Sequence, residues 1–519
     1  MSARPNLLLI TTDQQRWDSL SLYGAPGYRT PVLDGLAARG VCFDRAYCPS
    51  PVCTPARVSI LTGQYPTRHG AYEIGMDPVP ALQGPTIASL LGTAGYRTAL
   101  VGKTHFVARC IEHQHVAGVK DPSADRDDPT ETFWDTFDGP YAGFEFVRHC
   151  QSHTCDRPPN AHYRSWLRRR GLDLDHLHQG RRRAHGESAE NVVQRVPSEG
   201  VWAIDEAHTQ SAWINEESLA WIDRQQRASP WFCWVSYQDP HPPYVCPEPY
   251  FSAVDMTGVD LGGLKPGETE GKPPLVRNFM EGRYWTEAPD IHYWDGINVP
   301  AQGTYGVVKD PGSAIQAYIG MCNMTDTYVG RLLDGLRELD ALENTLLVFT
   351  TDHGEMLGRH GLWGKGAAAF EDCQRIPAVA SWPGGQRRAV GRTKAAFNLV
   401  DIMPTFLDAA GAAVPAFTQG VSQLPVIRGE RDSVRDWALV DFLATVNLHQ
   451  QTLVWQDWKL IVYRHADYGE LYNLAEDPEQ YRNLFDEHGA AGTKLAMLQR
   501  LARANMEAAG TMPRRIASA

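Results

Sequence analysis

No two cysteines of this chain stand in a C-x-x-C spacing, although ten are scattered through its 519 residues. The usual string of a structural zinc site or a redox dithiol is therefore missing. No stretch approaches membrane-spanning length free of charge, which argues against a transmembrane helix. The apolar run after Arg4-Pro5 is too short for a signal-peptide core, and no small-residue cleavage site follows it. Without an export signal the cytoplasm is the expected compartment, and the cysteines are expected to be thiols. Positive charge is in the minority, with 49 Lys and Arg against 61 Asp and Glu, a formal −12. An acidic surface repels phosphate backbones, so nucleic-acid binding is not expected. Any anion site must be a local concentration of cations. Internal repeats and low-complexity tracts are lacking as well.

An apolar fraction of 43%, with 10% aromatic residues, supports a large core. Four apolar runs share one design: "LLLITT" (7–12), "RTALVG" (97–102), "WFCWVSY" (231–237) and "LLVFTT" (346–351). Each is short and apolar on both faces, as buried strands of a parallel sheet are. Helical spacing fills the stretches 31–40, 86–93, 209–226 and 313–339. The alternation predicts an α/β sheet with helices on both faces. Every run stops on polar residues: Asp13-Gln14, Lys103-Thr104-His105, Gln238-Asp239-Pro240-His241 and Asp352-His353-Gly354-Glu355. In such sheets ligands bind beyond the carboxyl ends of the strands. One Asp after a strand is commonly a turn or cap residue, but four such clusters at one edge point to a site.

"SPVCTPARVSILTG" (50–63) adds a cysteine at a helix start. Pro55 suits the first turn, and Gly63 is a natural stop. Free amide N–H groups and the helix dipole favour negative charge there. Arg57, four residues on, projects near the same face. The Cys53 thiol is expected to have a lowered pKa.

These residues resemble the C-x-P-x-R…LTG signature of the type I sulfatases of the alkaline phosphatase superfamily. "NLLLITTDQQR", "GYRTALVGKTHF" and "LLVFTTDHGEMLGRHGLWGKG" are similar to that family's metal and substrate motifs. "LVDIMPTFLDAAGAAVP" (399–415) and "GELYNLAEDPEQYRNL" (469–484) resemble its C-terminal signposts. The resemblance implies a large, mostly parallel or mixed sheet sandwiched by helices, with a smaller C-terminal α+β subdomain. We expect a catalytic domain over 1–416, with insertions at about 106–208 and 246–311, and the smaller unit over 417–519. It also implies that a formylglycine-generating enzyme oxidises Cys53 to formylglycine, whose hydrated aldehyde is the nucleophile. Asp13, Gln14, modified Cys53, Asp352 and His353 would hold one divalent metal, and Arg57, Lys103, His105, His241 and Lys365 would surround the sulfate. His241, helped by Lys365, would protonate the leaving oxygen, and His105 would take a proton from the second hydroxyl of the diol.

Two positions depart from the common pattern. Gln14 stands where many members have a second aspartate, and His353 where many have asparagine. Oxygen ligands favour Ca²⁺, whereas the amide and imidazole also admit Mn²⁺. The same pair resembles the phosphonate monoester and phosphodiester hydrolases of the superfamily, while Lys103-x-His105 resembles the sulfatases. Hydrolysis of small soluble sulfate esters, aryl sulfates among them, is the leading reading, with phosphonate or phosphodiester hydrolysis as the alternative. A non-catalytic relative would lack a site element, and none is lacking.

Two arginine clusters in "LRRRGLDLDHLHQGRRRAHGE" (167–187) read as a solvated insertion, or as a rim for anionic substrates or a second subunit. Tyr284, Trp285, Tyr293 and Trp294 are either an apolar wall for an aryl or alkyl group or ordinary loop core. "TLVWQDWKLIVYR" (452–464) predicts a strand or hairpin. The last helix and its basic tail suggest a homo-oligomer.

Overall fold

The computed structural model describes residues 4–74, 84–106, 133–150, 160–172, 199–225, 229–281, 308–382, 390–445 and 448–509, with 82, 299, 300 and 384. The aromatic quartet at 284–294, the second arginine cluster and the basic tail lie outside them. One eight-stranded sheet contains β1 (Asn6–Thr12), β2 (Val41–Tyr47), β3 (Arg97–Gly102), β4 (Phe146–His149), β5 (Trp231–Ser236), β6 (Thr345–Thr351), β7 (Ala378–Ser381) and β8 (Gly391–Asn398). Their order is β8-β2-β7-β6-β1-β5-β3-β4. Only β7 runs against its neighbours, and the other pairings are parallel.

Successive strand residues point to opposite faces, so a strand apolar throughout feeds two cores. Leu7 and Leu9 pack with Phe232, Trp234, Leu346 and Val348 on one face. There they meet α2 (Cys53–Thr62), α3 (Ile87–Thr93) and α6 (Ile402–Ala409) through residues such as Ile60, Leu91 and Phe406. Leu8 and Ile10 pack on the other face with Cys233, Val235, Leu347 and Phe349. That face is covered by α1 (Pro31–Arg39), α4 (Gln210–Asp223) and α5 (Pro311–Glu338), through Leu36, Trp213 and Leu332 among others. The caps are local chemistry. Thr209 accepts a hydrogen bond from Ala212 N–H ahead of α4, and Asp310 accepts one from Ser313 N–H ahead of α5.

A second, antiparallel sheet runs β9 (Trp437–Thr445), β10 (Leu448–Trp455), β11 (Trp458–Tyr463) and β12 (Gly469–Asn473). The hairpin expected over 452–464 is β10 and β11. Helix α7 (Ala491–Ala508) lays Met497, Leu501 and Ala504 on Leu439, Leu453 and Leu460.

The four strands read from apolar runs are β1, β3, β5 and β6, which form the adjoining centre of the main sheet. The others carry weaker patterns for physical reasons. Strand β8 is an edge with Arg392 and Lys394, β4 and β7 span four residues each, and β2 contains Asp44-Arg45.

Register places the site. Thr11 pairs with Ser236 and Thr350, Thr12 with Thr351, and Gly102 with Ser236. The central strands therefore end level, and Asp13, Lys103 and Asp352 emerge side by side. Gly102 makes this closeness possible. Its φ is 110°, and a Cβ there would lie 1.9 Å from Ser236 O.

Candidate active site

Cys53 opens α2, after Val52 in extended conformation, and is fully buried. The loop ahead of it is tied down on two sides, where Cys48 N donates to Gln374 O and Asp441 N of β9 donates to Pro49 O. The helix ends as the sequence predicts, with Gly63 at φ 65°.

The sequence-derived residues converge on this thiol. Lys365 Nζ lies 2.7 Å from Sγ, His353 Nε2 3.1 Å, and Asp13 Oδ1 3.6 Å. The side chains of His105 and His241 also interact with it. Lys103 Nζ forms an ion pair with Asp13 Oδ2. Arg57 Nε donates to Asp352 Oδ2 at 2.8 Å, and its Nη1 donates to Lys103 O and Ser236 Oγ. Asp352 Oδ1 accepts from the backbone N–H groups of Gln14 and His353, both at 3.0 Å.

Burial alone would raise the Cys53 pKa. The charges of Lys103 and Lys365, with His353 and a hydrogen bond from His105, hold it well below the ordinary thiol value instead. Asp13 is likewise held below the usual carboxylate range. Burial and the Cys53 charge oppose this, and Lys103, His241 and Lys365 outweigh them. Burial, with the Asp13 charge, pushes Asp352 upward. For His105, burial and then the Lys103 charge lower the pKa to about 4. Burial lowers His241 to about 4 as well, with Asp13 opposing and Lys365 reinforcing the shift.

Carbonyl oxygens only accept, which places a proton on Nδ1 of two histidines. His353 Nδ1 donates to Gly354 O at 2.9 Å and His241 Nδ1 donates to Pro242 O at 2.6 Å. The Nε2 lone pair of His241 therefore faces inward, 3.4 Å from Lys365 Nζ. His353, where burial is outweighed by the Asp352 charge and the pKa is raised, turns its Nε2 toward Cys53.

Donor atoms of Asp13, Cys53, Asp352 and His353 lie within 4.8 Å of one another, all buried. Gln14 is next to them at φ 64°, a left-handed conformation that costs a residue with a Cβ about 1 kcal/mol. Its Nε2 donates to Glu355 Oε2, and its Oε1 is buried without a hydrogen-bond partner. A buried amide oxygen beside carboxylates and an imidazole nitrogen fits a hard or borderline cation.

Sequence reasoning missed Glu355 and Ser236. Glu355 Oε1 accepts from the N–H groups of Leu357 and Gly364 while Oε2 holds Gln14. Its place in the string Asp352-His353-Gly354-Glu355 was the available signal. Ser236 ends an apolar strand and gave none.

This site, on a mixed and mostly parallel sheet with a C-terminal antiparallel sheet, defines a hydrolase of the alkaline phosphatase-like fold. The chain belongs to the sulfatase family, whose profile matches residues 5–412. A second profile, N-sulphoglucosamine sulphohydrolase, C-terminal, matches residues 358–507. The chain is 28% identical over 505 residues to the uncharacterized sulfatase YidJ of Escherichia coli, covering 93% of this chain and 84% of that one. It is 27% identical over 504 residues to an arylsulfatase of Clostridium perfringens, covering 93% and 90%. The phosphonate monoester hydrolase of Agrobacterium radiobacter superposes with a TM-score of 0.74 at 25% identity, covering 97% and 96%. Among the described residues no helix is long and apolar enough to cross a membrane.

Proposed function

We propose that this chain hydrolyses monoesters of sulfate with small soluble phenols or alcohols, using formylglycine made from Cys53. One observation carries the reading: two buried lysines, Lys103 and Lys365, flank a single thiol at a helix N-terminus. Asp13, Gln14, Asp352, His353 and the modified Cys53 would hold one divalent cation, with Ca²⁺ favoured and Mn²⁺ compatible. Such a cation supplies Lewis-acid chemistry and lowers the pKa of a coordinated hydroxyl. Formylglycine supplies, once hydrated, a nucleophilic hydroxyl and a second one whose loss of a proton releases product.

The remaining chemistry belongs to side chains of this chain. Arg57 is anchored by Asp352 and keeps Nη2 without a partner, positioned for a sulfate oxygen. Lys103 and Lys365 offset charge gathering on the sulfuryl group and the leaving oxygen. His241 rests neutral with its lone pair toward Lys365, so the proton for the leaving oxygen comes from this pair acting together. His105, also neutral, has a buried Nδ1 without a partner and is suited to accept a proton.

Gln14 and His353, with the phosphonate monoester hydrolase likeness, favour phosphonate monoester or phosphodiester hydrolysis as a second activity of the same site. The ratio of the two kcat/KM values separates the readings. The first test is the mass of the peptide spanning 45–68 in active protein. Loss of about 18 Da at Cys53 marks formylglycine. An unmodified thiol in fully active protein overturns this mechanism.

A further inference from the structure

Glu73 has no part in the chemistry above, yet its segment borders the site. It follows the short helix Pro66–His69, and its neighbour Ile74 packs in one cluster with Val52, Ala367 and Ala368. Val52 directly precedes Cys53, and the two alanines come just after Lys365. The segment thus shares a cluster with residues of both the nucleophile loop and the Lys365 loop. Its carboxyl is half committed. Oε1 accepts from Ile74 N–H at 2.8 Å, whereas Oε2 is buried with no hydrogen-bond partner. No ion pair to Glu73 occurs among the described residues. Its charge nevertheless interacts with Lys365 and with Cys53. Burial pushes its pKa up to about 8, against the Ile74 hydrogen bond and the Lys365 charge.

A buried carboxyl oxygen left without a partner costs stability, and proteins retain such groups where a ligand completes them. In the sulfatase reading the sulfuryl group sits over Cys53 and the leaving oxygen sits on the side of Lys365 and His241. The Lys365 charge acts on the Glu73 carboxyl more strongly than the Cys53 charge does. Ile74 packs with Ala367 and Ala368 just after Lys365, which puts Glu73 nearer that side. We propose that Glu73 is a specificity residue for the alcohol half of the ester, its Oε2 pairing with a hydroxyl or ammonium group there. The substrate class is then a sulfate ester of a polyhydroxy or amino alcohol, and a plain aryl sulfate leaves the carboxyl unpartnered. This assignment rests on the sulfatase reading.

The test compares 4-nitrophenyl sulfate, which has no such donor, with glucose 6-sulfate and 2-aminoethyl sulfate. For each ester kcat/KM is measured in wild-type enzyme and in Glu73→Leu, and the variant-to-wild-type ratio cancels intrinsic reactivity. A site built to hydrogen-bond its substrate loses heavily when that bond goes, so the ratio for a donor-bearing ester should be lower than that for 4-nitrophenyl sulfate by at least about tenfold. Loss on glucose 6-sulfate identifies a hydroxyl partner, and loss on 2-aminoethyl sulfate an ammonium partner. Glu73→Gln keeps the volume and serves if the leucine variant does not fold, with the same relative loss expected on the ammonium ester. Ratios equal within about threefold across all three esters overturn the assignment. Wild-type enzyme that cleaves 4-nitrophenyl sulfate but neither donor-bearing ester also overturns it, leaving the sulfatase reading intact. Enzyme that cleaves none of the three overturns both.

Discussion

Where the main sheet meets the C-terminal sheet, Lys459 Nζ donates to Glu371 Oε1 at 2.9 Å and to Gln480 Oε1 at 3.4 Å. Tyr47 Oη donates to the other Glu371 oxygen at 2.8 Å. Lys272 Nζ reaches Tyr472 Oη and Gln480 O, while Tyr463 and Tyr472 donate to Glu470. Each of these side chains is buried, and each polar atom named has a partner. The network around Cys53 is as deeply buried, yet Arg57 Nη2, Gln14 Oε1 and His105 Nδ1 have none. Folding closes hydrogen bonds wherever geometry allows, because an orphaned buried group costs about 1–3 kcal/mol. The closed network is what adhesion between two sheets requires. The open one is incomplete in the positions a cation and an anion would fill.

Breaking the open network should cost activity first. Lys103→Ala removes the partner of Asp13 and a charge beside the sulfuryl group, and kcat/KM on a sulfate ester should fall about 1,000-fold. His105→Ala should also fall, by about 100-fold. Survival of either variant within about tenfold, roughly 1.4 kcal/mol, contradicts the assignment. Breaking the closed network should cost stability instead. Lys459→Met leaves the Glu371 carboxylate buried beside a thioether, and urea unfolding should show a loss of about 3 kcal/mol. An unmoved midpoint would mean that this network does not hold the sheets together.

Filling the open network should stabilise it. A metal at 100 times its Kd adds about 2.7 kcal/mol to the folded state, so chelation should lower the thermal midpoint correspondingly. Gln14→Ala should shrink that difference, and parallel titrations with Ca²⁺ and Mn²⁺ rank the two ions. A midpoint indifferent to chelator in metal-replete protein would leave Gln14 Oε1 unexplained.

The central strands and the polar residues that end them were legible in the sequence, because strands buried on both faces are apolar throughout and stop where polar groups begin. Asp13, Lys103 and Asp352 are read from that punctuation alone. What did not show was long-range closure. Glu355 holds Gln14 across more than 300 residues, and Asp441 of the small sheet fixes Pro49 ahead of Cys53. Such contacts join residues whose local patterns are ordinary. Edge strand β8 stayed hidden for the opposite reason, since partial exposure lets it carry charge.

Acid titration gives the smallest effect per residue and per pH unit, and separates the networks most finely. Burial is the leading cause that lowers His69 to about 3 and His162, His105 and His241 to about 4. An unfolded histidine titrates near 6.5. Below that pH the unfolded chain takes up protons that the folded chain refuses. The share of stability that depends on these histidines is therefore complete above about pH 6.5 and falls toward pH 4, by up to about 1.4 kcal/mol per pH unit for each. Carboxyls that burial raises, Asp239, Asp326 and Asp441 to about 6 and Glu73 to about 8, act in the opposite direction. His162 is closed, with Nδ1 accepting from His149 N–H and Nε2 donating to Phe137 O. His69 also uses both nitrogens, with Ala71 N–H and Ser59 Oγ. His105 and His241 face the site, where a bound sulfate anion favours their protonated forms. Urea unfolding at pH 7, 6 and 5, with and without saturating sulfate, should show a change of slope confined to the share belonging to His105 and His241. His162→Gln should remove its own share whether or not sulfate is present. A slope that sulfate leaves unchanged would count against an anion site beside His105 and His241, and with it against the contrast between an open network and a closed one.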